Sequence, residues 1–136
     1  MKITLLIPVK KFAKFNLEAS KEYIKRLSRY CNLTLIKSKT EVDIIKKTPT
    51  TSYIIGVSHT CHTISSEDLA QKIADLGISG ASSISFVLTN DKEFLNTCDY
   101  TIAISSMPLS TELEAVVLLE QIYRSYRIIH NQAYHK

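Results

Sequence analysis

The sequence is short of the residues that punctuate loops, with 3 glycines and 3 prolines among 136 residues. It has no apolar run near the ~20 residues that a membrane-spanning helix needs. The opening MKITLLIPVKK carries an apolar stretch, but one too short for a signal segment, and it alternates as a strand does. Three cysteines, Cys31, Cys61 and Cys98, are odd in number and without paired spacing, which argues against a disulfide framework and for a reducing compartment. His59-Thr-Cys61-His62 has no second ligand group at a useful spacing, so no metal site is expected. No repeat, linker or low-complexity segment is visible. These absences leave one domain over residues 1–136, cytoplasmic, with no membrane partner.

What is present is an ordinary globular composition, 45% hydrophobic and 22% charged, in a chain long enough to bury a core without disulfides or metal. The net charge of +4 conceals an asymmetry. Residues 1–47 hold 12 Lys/Arg against 4 Asp/Glu, residues 48–123 hold 2 against 9, and residues 124–136 add Arg124, Arg127 and Lys136. Basic charge therefore sits at both ends of the chain. If the ends meet in the fold, they make one positive surface suited to phosphate. On charge alone, a merely solvated lysine-rich face is an equal alternative.

Hydrophobic spacing alternates between strand and helix. Ile3, Leu5, Ile7 and Val9 predict a first strand. Asn16 is a candidate cap for a helix through Leu17, Ile24 and Leu27, whose other face carries Lys21, Lys25 and Arg29 as a cationic stripe. A short strand follows at 32–36, then a short helix near Glu41–Lys46. The nearly continuous apolar run 52–57 reads as a strand buried on both faces. Ser65 and Asp68 stand at capping-box spacing for a helix through Leu69, Ile73 and Leu76, with Gly77 as its stop. Strands at 84–88 and 100–104 and a final helix from Ser110 or Thr111 to about Ile129 complete an α/β domain. Its mostly parallel sheet should carry helices on both faces, with ligands beyond the carboxyl ends of the strands at 57–58, 88–90 and 104–107.

The last helix is apolar on every side over Ala115-Val-Val-Leu-Leu119, flanked by Leu113, Ile122, Tyr123 and Tyr126. Such a helix has to be buried on every side, which predicts a homodimer built on it. Beyond it the chain reads HNQAYHK, with Tyr134, His135 and Lys136 side by side.

The stretch LEQIYRSYRI followed by Tyr134-His-Lys136 resembles the end of the RlmH family, SPOUT-class methyltransferases that modify N3 of a pseudouridine in large-subunit ribosomal RNA. Met1-Lys-Ile-Thr, Glu22-Tyr-Ile-Lys-Arg-Leu27 and Ile64-Ser-Ser-Glu-Asp-Leu-Ala70 fit in the same order, so the likeness covers nearly the whole chain, with a shortened region around 38–51. It implies a homodimer, a C-terminal trefoil knot, and S-adenosylmethionine (AdoMet) bound among the knot loops. The implied cofactor contacts are Val57, Thr89 and the loop Ile104, Ser105, Ser106, Met107, Pro108 and Leu109. His135 would take or relay the N3 proton and Tyr134 would stack on or bond the base. Arg124 and Lys136 would hold phosphate, aided by Lys21, Lys25 and Arg29, on ribosomal RNA or the ribosome. The chain departs from the family where paired glycines follow the fourth strand. It has Thr89 and Asn90 there, side chains expected to crowd the cofactor. An RNA-binding or interaction dimer without methyl transfer is the alternative reading. For Arg124 a pair with Glu120 is the competing role, and for Tyr123 and Tyr126 it is packing.

Overall fold

The computed structural model describes residues 1–134. Ten elements alternate: β1 (Lys2–Ile7), α1 (Lys14–Leu27), β2 (Asn32–Lys37), α2 (Glu41–Lys47), β3 (Tyr53–Val57), α3 (Ser66–Ile78), β4 (Ser83–Leu88), α4 (Lys92–Thr97), β5 (Tyr100–Ile102) and α5 (Thr111–Ile129). The five strands form one sheet in the order β2-β1-β4-β3-β5. Every pairing is parallel, with Leu5 opposite both Leu35 and Phe86, and Ile55 opposite Phe86 and Tyr100.

Alternation along the strands assigns the two faces. Ile3, Leu5, Ile7, Ile55, Val57, Ile84 and Phe86 form the main core together with Leu27, Leu69, Ile73, Leu118, Leu119 and Ile122 from α1, α3 and α5. Leu6 and Val87 turn the other way, against Ile44 of α2 and Phe94 of α4. At 25 cal/mol per Å² each fully buried aliphatic side chain contributes roughly 2 kcal/mol, so the larger cluster dominates stability. The parallel two-faced α/β sheet read from the sequence is the observed one.

Three local expectations are corrected. Asn16 does not cap α1: the N-cap is Ala13, with no side-chain cap of its own. A carboxylate from α5 does the job instead, as Glu112 accepts the Ala13 N–H at 2.6 Å and the Asn16 amide at 3.3 Å. An acid at a helix N-terminus complements the exposed amides and the dipole wherever in the chain it comes from. Gly77 lies inside α3, and the stop is three residues later at Gly80, whose φ of 93° only glycine adopts cheaply. The bonds Ala81 N–H to Leu76 O (3.0 Å) and Gly80 N–H to Gly77 O (3.3 Å) are those of a Schellman ending. Finally, Asp91 caps a short helix, α4, through the Phe94 N–H at 3.0 Å, an element that the sequence pattern between the strands at 84–88 and 100–104 does not predict.

α5 packs along both α1 and α3, so its two flanks are covered within one chain. This accounts for much of its all-round apolar character without a second subunit. Leu113 remains 43% exposed, and so do Phe15 in the first turn of α1, at 72%, and Met107, at 71%.

Candidate functional site at the carboxyl edge of the sheet

Three loops meet where the strands end. The loop after β3 closes on the end of β5 as a clasp. The Ile102–Ala103 peptide is held on both sides, its carbonyl by the Ser58 N–H (3.1 Å) and its N–H by the His62 carbonyl (2.8 Å). Thr63 adds a parallel bridge to Ala103. Residues 58–63 thus straddle the chain just before it runs through 104–110 into α5.

The chain leaves β1 toward β2 on one side and leaves β4 toward β5 on the other. The crevice between the ends of β1 and β4 is therefore the topological switch point, where open parallel sheets bind ligands. Pro8, Glu41, Leu88, Thr89, Asn90, Thr111 and Glu114 line it, around a cavity of only about 30 Å³. Thr89 is 4% exposed, its N–H donating to the Val57 carbonyl at 3.2 Å. Its hydroxyl donates to Glu41 Oε1 at 3.2 Å, and the Asn90 N–H donates to the same oxygen at 2.8 Å. The Ser58 hydroxyl bonds Asn90 Oδ1 at 2.6 Å and lies 2.8 Å from Thr60 Oγ1. One polar network thus runs from α2 through the β4 loop to the clasp. Burial pushes the Glu114 carboxyl up to about 7.

A second, open hollow lies on the far side of the clasp. Ile64, Leu69, Ile104 and Val117 give it apolar walls, Ser65, Ser66 and Gln121 its polar edge, and its volume is about 260 Å³. Among the described residues, the main-chain N–H groups of Ile104, Ser105 and Ser106 donate no hydrogen bond, whereas the Met107 N–H is taken by Ser105 Oγ at 3.0 Å. The expected cofactor residues are thus divided. Ile104 borders the open hollow at the head of its loop, Thr89 sits in the closed crevice, and the buried Val57 joins the two regions through its carbonyl. The loop side offers apolar walls and main-chain donors without a protein partner, the groups a nucleoside uses. The Thr89 side, with the volume of a single water, has no room for one.

The basic ends of the chain do meet. α1 and the end of α5 join through rings: Tyr30 stacks on Tyr126 at 5.4 Å and Tyr23 lies 6.1 Å from Tyr123. Arg127 donates to the Tyr30 hydroxyl (3.3 Å), Gln132 (3.1 Å) and the Ala133 carbonyl (3.0 Å), which folds the tail back. Lys21 and Lys25 are exposed on α1, while Arg29, expected on the same helix, is exposed in the turn just after it; Arg26 joins them, its guanidinium over Tyr23 at 5.7 Å and Tyr123 at 5.8 Å. Arg124 pairs with Glu120 at 2.6 Å and lies over the Tyr134 ring at 4.9 Å. Tyr134 meets Tyr123 edge-on at 5.0 Å and donates its hydroxyl to Glu120 at 3.3 Å. Burial, then bonding to Tyr23, pushes that phenol up to about 12, so at neutral pH it is a donor and not a base. Both alternatives weighed for Arg124 and Tyr123 are therefore present, an ion pair and packing. His135 and Lys136 lie outside the described residues.

Sequence reasoning missed Glu41, Arg26 and Arg127. Glu41 carried no signal beyond that of an acid in a first helical turn. Arg26 adjoins Lys25, and only the three-dimensional pairing with Tyr123 sets it apart. No group of three or more His, Cys, Asp or Glu is placed to hold a metal among the described residues, nor is any of their helices long and apolar enough to cross a membrane.

Comparison with known proteins agrees with this geometry. The family described as "Predicted SPOUT methyltransferase" matches residues 1–135. "Ribosomal RNA large subunit methyltransferase H 1" of Thermoanaerobacter sp. (strain X514) is 39% identical over 126 residues, 93% of this chain and 92% of the relative. Proteins named "Ribosomal RNA large subunit methyltransferase H" from Acetivibrio thermocellus and Clostridium novyi are 33% and 35% identical over 159 aligned positions that span the whole of each chain.

Proposed function

This chain belongs to the SPOUT methyltransferase family, and we propose that, like the relatives named above, it methylates large-subunit ribosomal RNA, with AdoMet as donor and N3 of a pseudouridine as acceptor. The observation that carries the reading is the clasp: the Ile102–Ala103 peptide gripped from both sides by residues 58–63, with a loop of unused main-chain donors directly after it. The same clasp supports a trefoil knot, since the chain passes it before entering α5. Bound AdoMet supplies a methyl group already activated on a sulfonium.

The protein's share of the work is positioning, proton removal and RNA binding. Main-chain groups of Ile104–Leu109 hold the adenine end, with Ile104, Ile64 and Val117 as walls. The exposed stripe Lys21, Lys25, Arg26 and Arg29 takes RNA phosphates, a role that predicts salt-sensitive binding. Tyr134 offers its ring or hydroxyl to the base, and Arg124, held by Glu120, is the nearby cation. His135, next in the chain, is assigned the N3 proton, and Lys136 a phosphate.

A second copy is proposed to cover the exposed Phe15, Met107 and Leu113 and the half-buried Val116 and Val117 of α5, bringing its own tail to this edge. Sedimentation equilibrium should give twice the chain mass; a monomer at micromolar concentration removes this part. The activity itself is tested with ribosomes lacking the modification and tritium-labelled AdoMet. Label should enter large-subunit RNA, and His135→Ala should reduce it at least about a hundredfold, the scale of a lost general base. Unlabelled RNA, while a relative such as the Clostridium novyi protein labels the same ribosomes, would favour the RNA-binding dimer.

A further inference from the structure

The tail leaves α5 by a turn that sends it back along the helix it came from. The Gln132 N–H bonds the Arg127 carbonyl at 2.8 Å and the Asn131 N–H bonds the Ile128 carbonyl at 3.0 Å, the two bonds of a Schellman ending. Asn131 supplies the left-handed residue, with a φ of 53° that asparagine adopts more readily than most side chains. Such a turn fixes a direction and leaves the next residues free to swing. Here the Arg127 side chain holds them. Its Nη1 donates to the Tyr30 hydroxyl at 3.3 Å and to Gln132 Oε1 at 3.1 Å, and its Nη2 donates to the Ala133 carbonyl at 3.0 Å. The Tyr30 hydroxyl donates to the same Gln132 oxygen. One guanidinium thus joins the end of α1, the end of α5 and the tail.

Tyr134 comes directly after the residue that this fork grips. Its ring meets Tyr123 edge-on at 5.0 Å and carries Arg124 at 4.9 Å, and its hydroxyl reaches Glu120 at 3.3 Å. Glu120, Tyr123, Arg124 and Arg127 recur three or four apart and share one face of α5. The tail therefore lies back over that face, across the two turns, about 10 Å, that separate Arg127 from Glu120. All three acceptors of the Arg127 guanidinium are neutral, a phenol, a side-chain amide and a carbonyl. Its forked geometry, more than its charge, makes the tie.

We propose that Arg127 is the positioning residue of the tail: its fork places Tyr134 against Tyr123, Arg124 and Glu120, and so sets where the tail meets the acceptor base. This rests on the methyl-transfer reading above. Arg127 acts through the tail and is not itself a catalytic residue. Its loss frees Tyr134 and lowers turnover while cofactor binding stays as it was.

Two measurements on the full chain test this, for the unsubstituted protein, Arg127→Ala and Arg127→Lys. One is the nuclear Overhauser contact between the Tyr134 and Tyr123 rings; the other is kcat and the KM for AdoMet in the ribosome-labelling assay. Circular-dichroism melts verify that each variant is folded. The ring contact should vanish in both variants. Turnover should fall by about tenfold to a hundredfold, the scale of an ångström of misplacement, with the KM for AdoMet unchanged. Arg127→Lys should do no better than Arg127→Ala, because an ammonium keeps the charge and cannot make the fork. A ring contact that persists in folded Arg127→Ala, or a kcat within about twofold of the unsubstituted value, overturns the proposal. Restored turnover in Arg127→Lys overturns it too, since charge alone would then suffice. If the unsubstituted protein labels no RNA, the methyl-transfer reading falls by itself, and the ring contact decides whether Arg127 holds Tyr134.

Discussion

The loop after β4 and the loop after β5 leave the same edge of one sheet and end in opposite states. The first is saturated: Thr89 and Asn90 spend their side chains and an amide on Glu41, Asp91 and Ser58, and about 30 Å³ is left. The second keeps the N–H groups of Ile104, Ser105 and Ser106 unused among the described residues, beside a hollow of about 260 Å³. Short polar side chains compete locally for backbone groups, and wherever they succeed, no donor is left for a ligand. The two loops, residues 89–91 and 103–110, thus diverge because the shorter is built from threonine, asparagine and a borrowed glutamate. The other places an isoleucine against the apolar walls of Ile64 and Val117.

The strand beneath both loops is the most sensitive place to break that contrast. β3 carries Gly56, where an added Cβ would stand 2.6 Å from Leu95 Cδ2 and 3.0 Å from Cys98 Sγ. Gly56→Ala should therefore force α4 outward and cost about 1–3 kcal/mol in urea unfolding, the range for overpacking. A value within error of zero would mean that the α4 side yields freely. The link between the two regions comes next. Ser58→Ala removes the hydroxyl that bonds Asn90 Oδ1 and receives the Thr60 N–H at 3.2 Å. Its expected cost is about 1–2 kcal/mol, with an unchanged m-value.

Glu114 gives the smallest effect and sharpens the contrast on the closed side. Its folded carboxyl titrates at about 7 because of burial, above the ordinary 4.5. The folded state therefore binds more protons than the unfolded between those values, and stability falls as pH rises through about 4.5 to 7. Glu114→Gln should be more stable than the unsubstituted protein at pH 8 and equal to it at pH 4. The gain is no more than about 1 kcal/mol once solvent screening of this half-exposed group is allowed for. Thermal melts at the two pH values read it, and an equal difference at both would exclude the titration.

Strand and helix periods made the fold legible. The apolar segments at 52–57 and 84–88 are the strands Tyr53–Val57 and Ser83–Leu88, and Ser65 caps α3 through the Asp68 N–H at 3.1 Å. What stayed hidden came from partners distant in sequence. Glu112 caps a helix that begins about a hundred residues earlier, and Glu41 closes a loop about fifty residues later. Neither shows in a local pattern. Gly77 was misread as a stop because the last turn of α3 continues to Ile78, with Gly80 supplying the left-handed residue. At the candidate site, the dipeptide Thr89-Asn90 announced crowding, and the crevice beside both residues holds only about 30 Å³. Tyr134, which the resemblance sets against the base, already has partners on α5 for its ring and hydroxyl, Tyr123 and Glu120.

The central claim is that this edge of the sheet is the cofactor site, open at one loop and closed at the other. Amide NMR titration with S-adenosylhomocysteine tests it most directly. The signals of Ile104, Ser105, Ser106, Met107 and Leu109 should move together. Shifts confined to the α1–Tyr134 face, or none at this edge at saturating ligand, would contradict it.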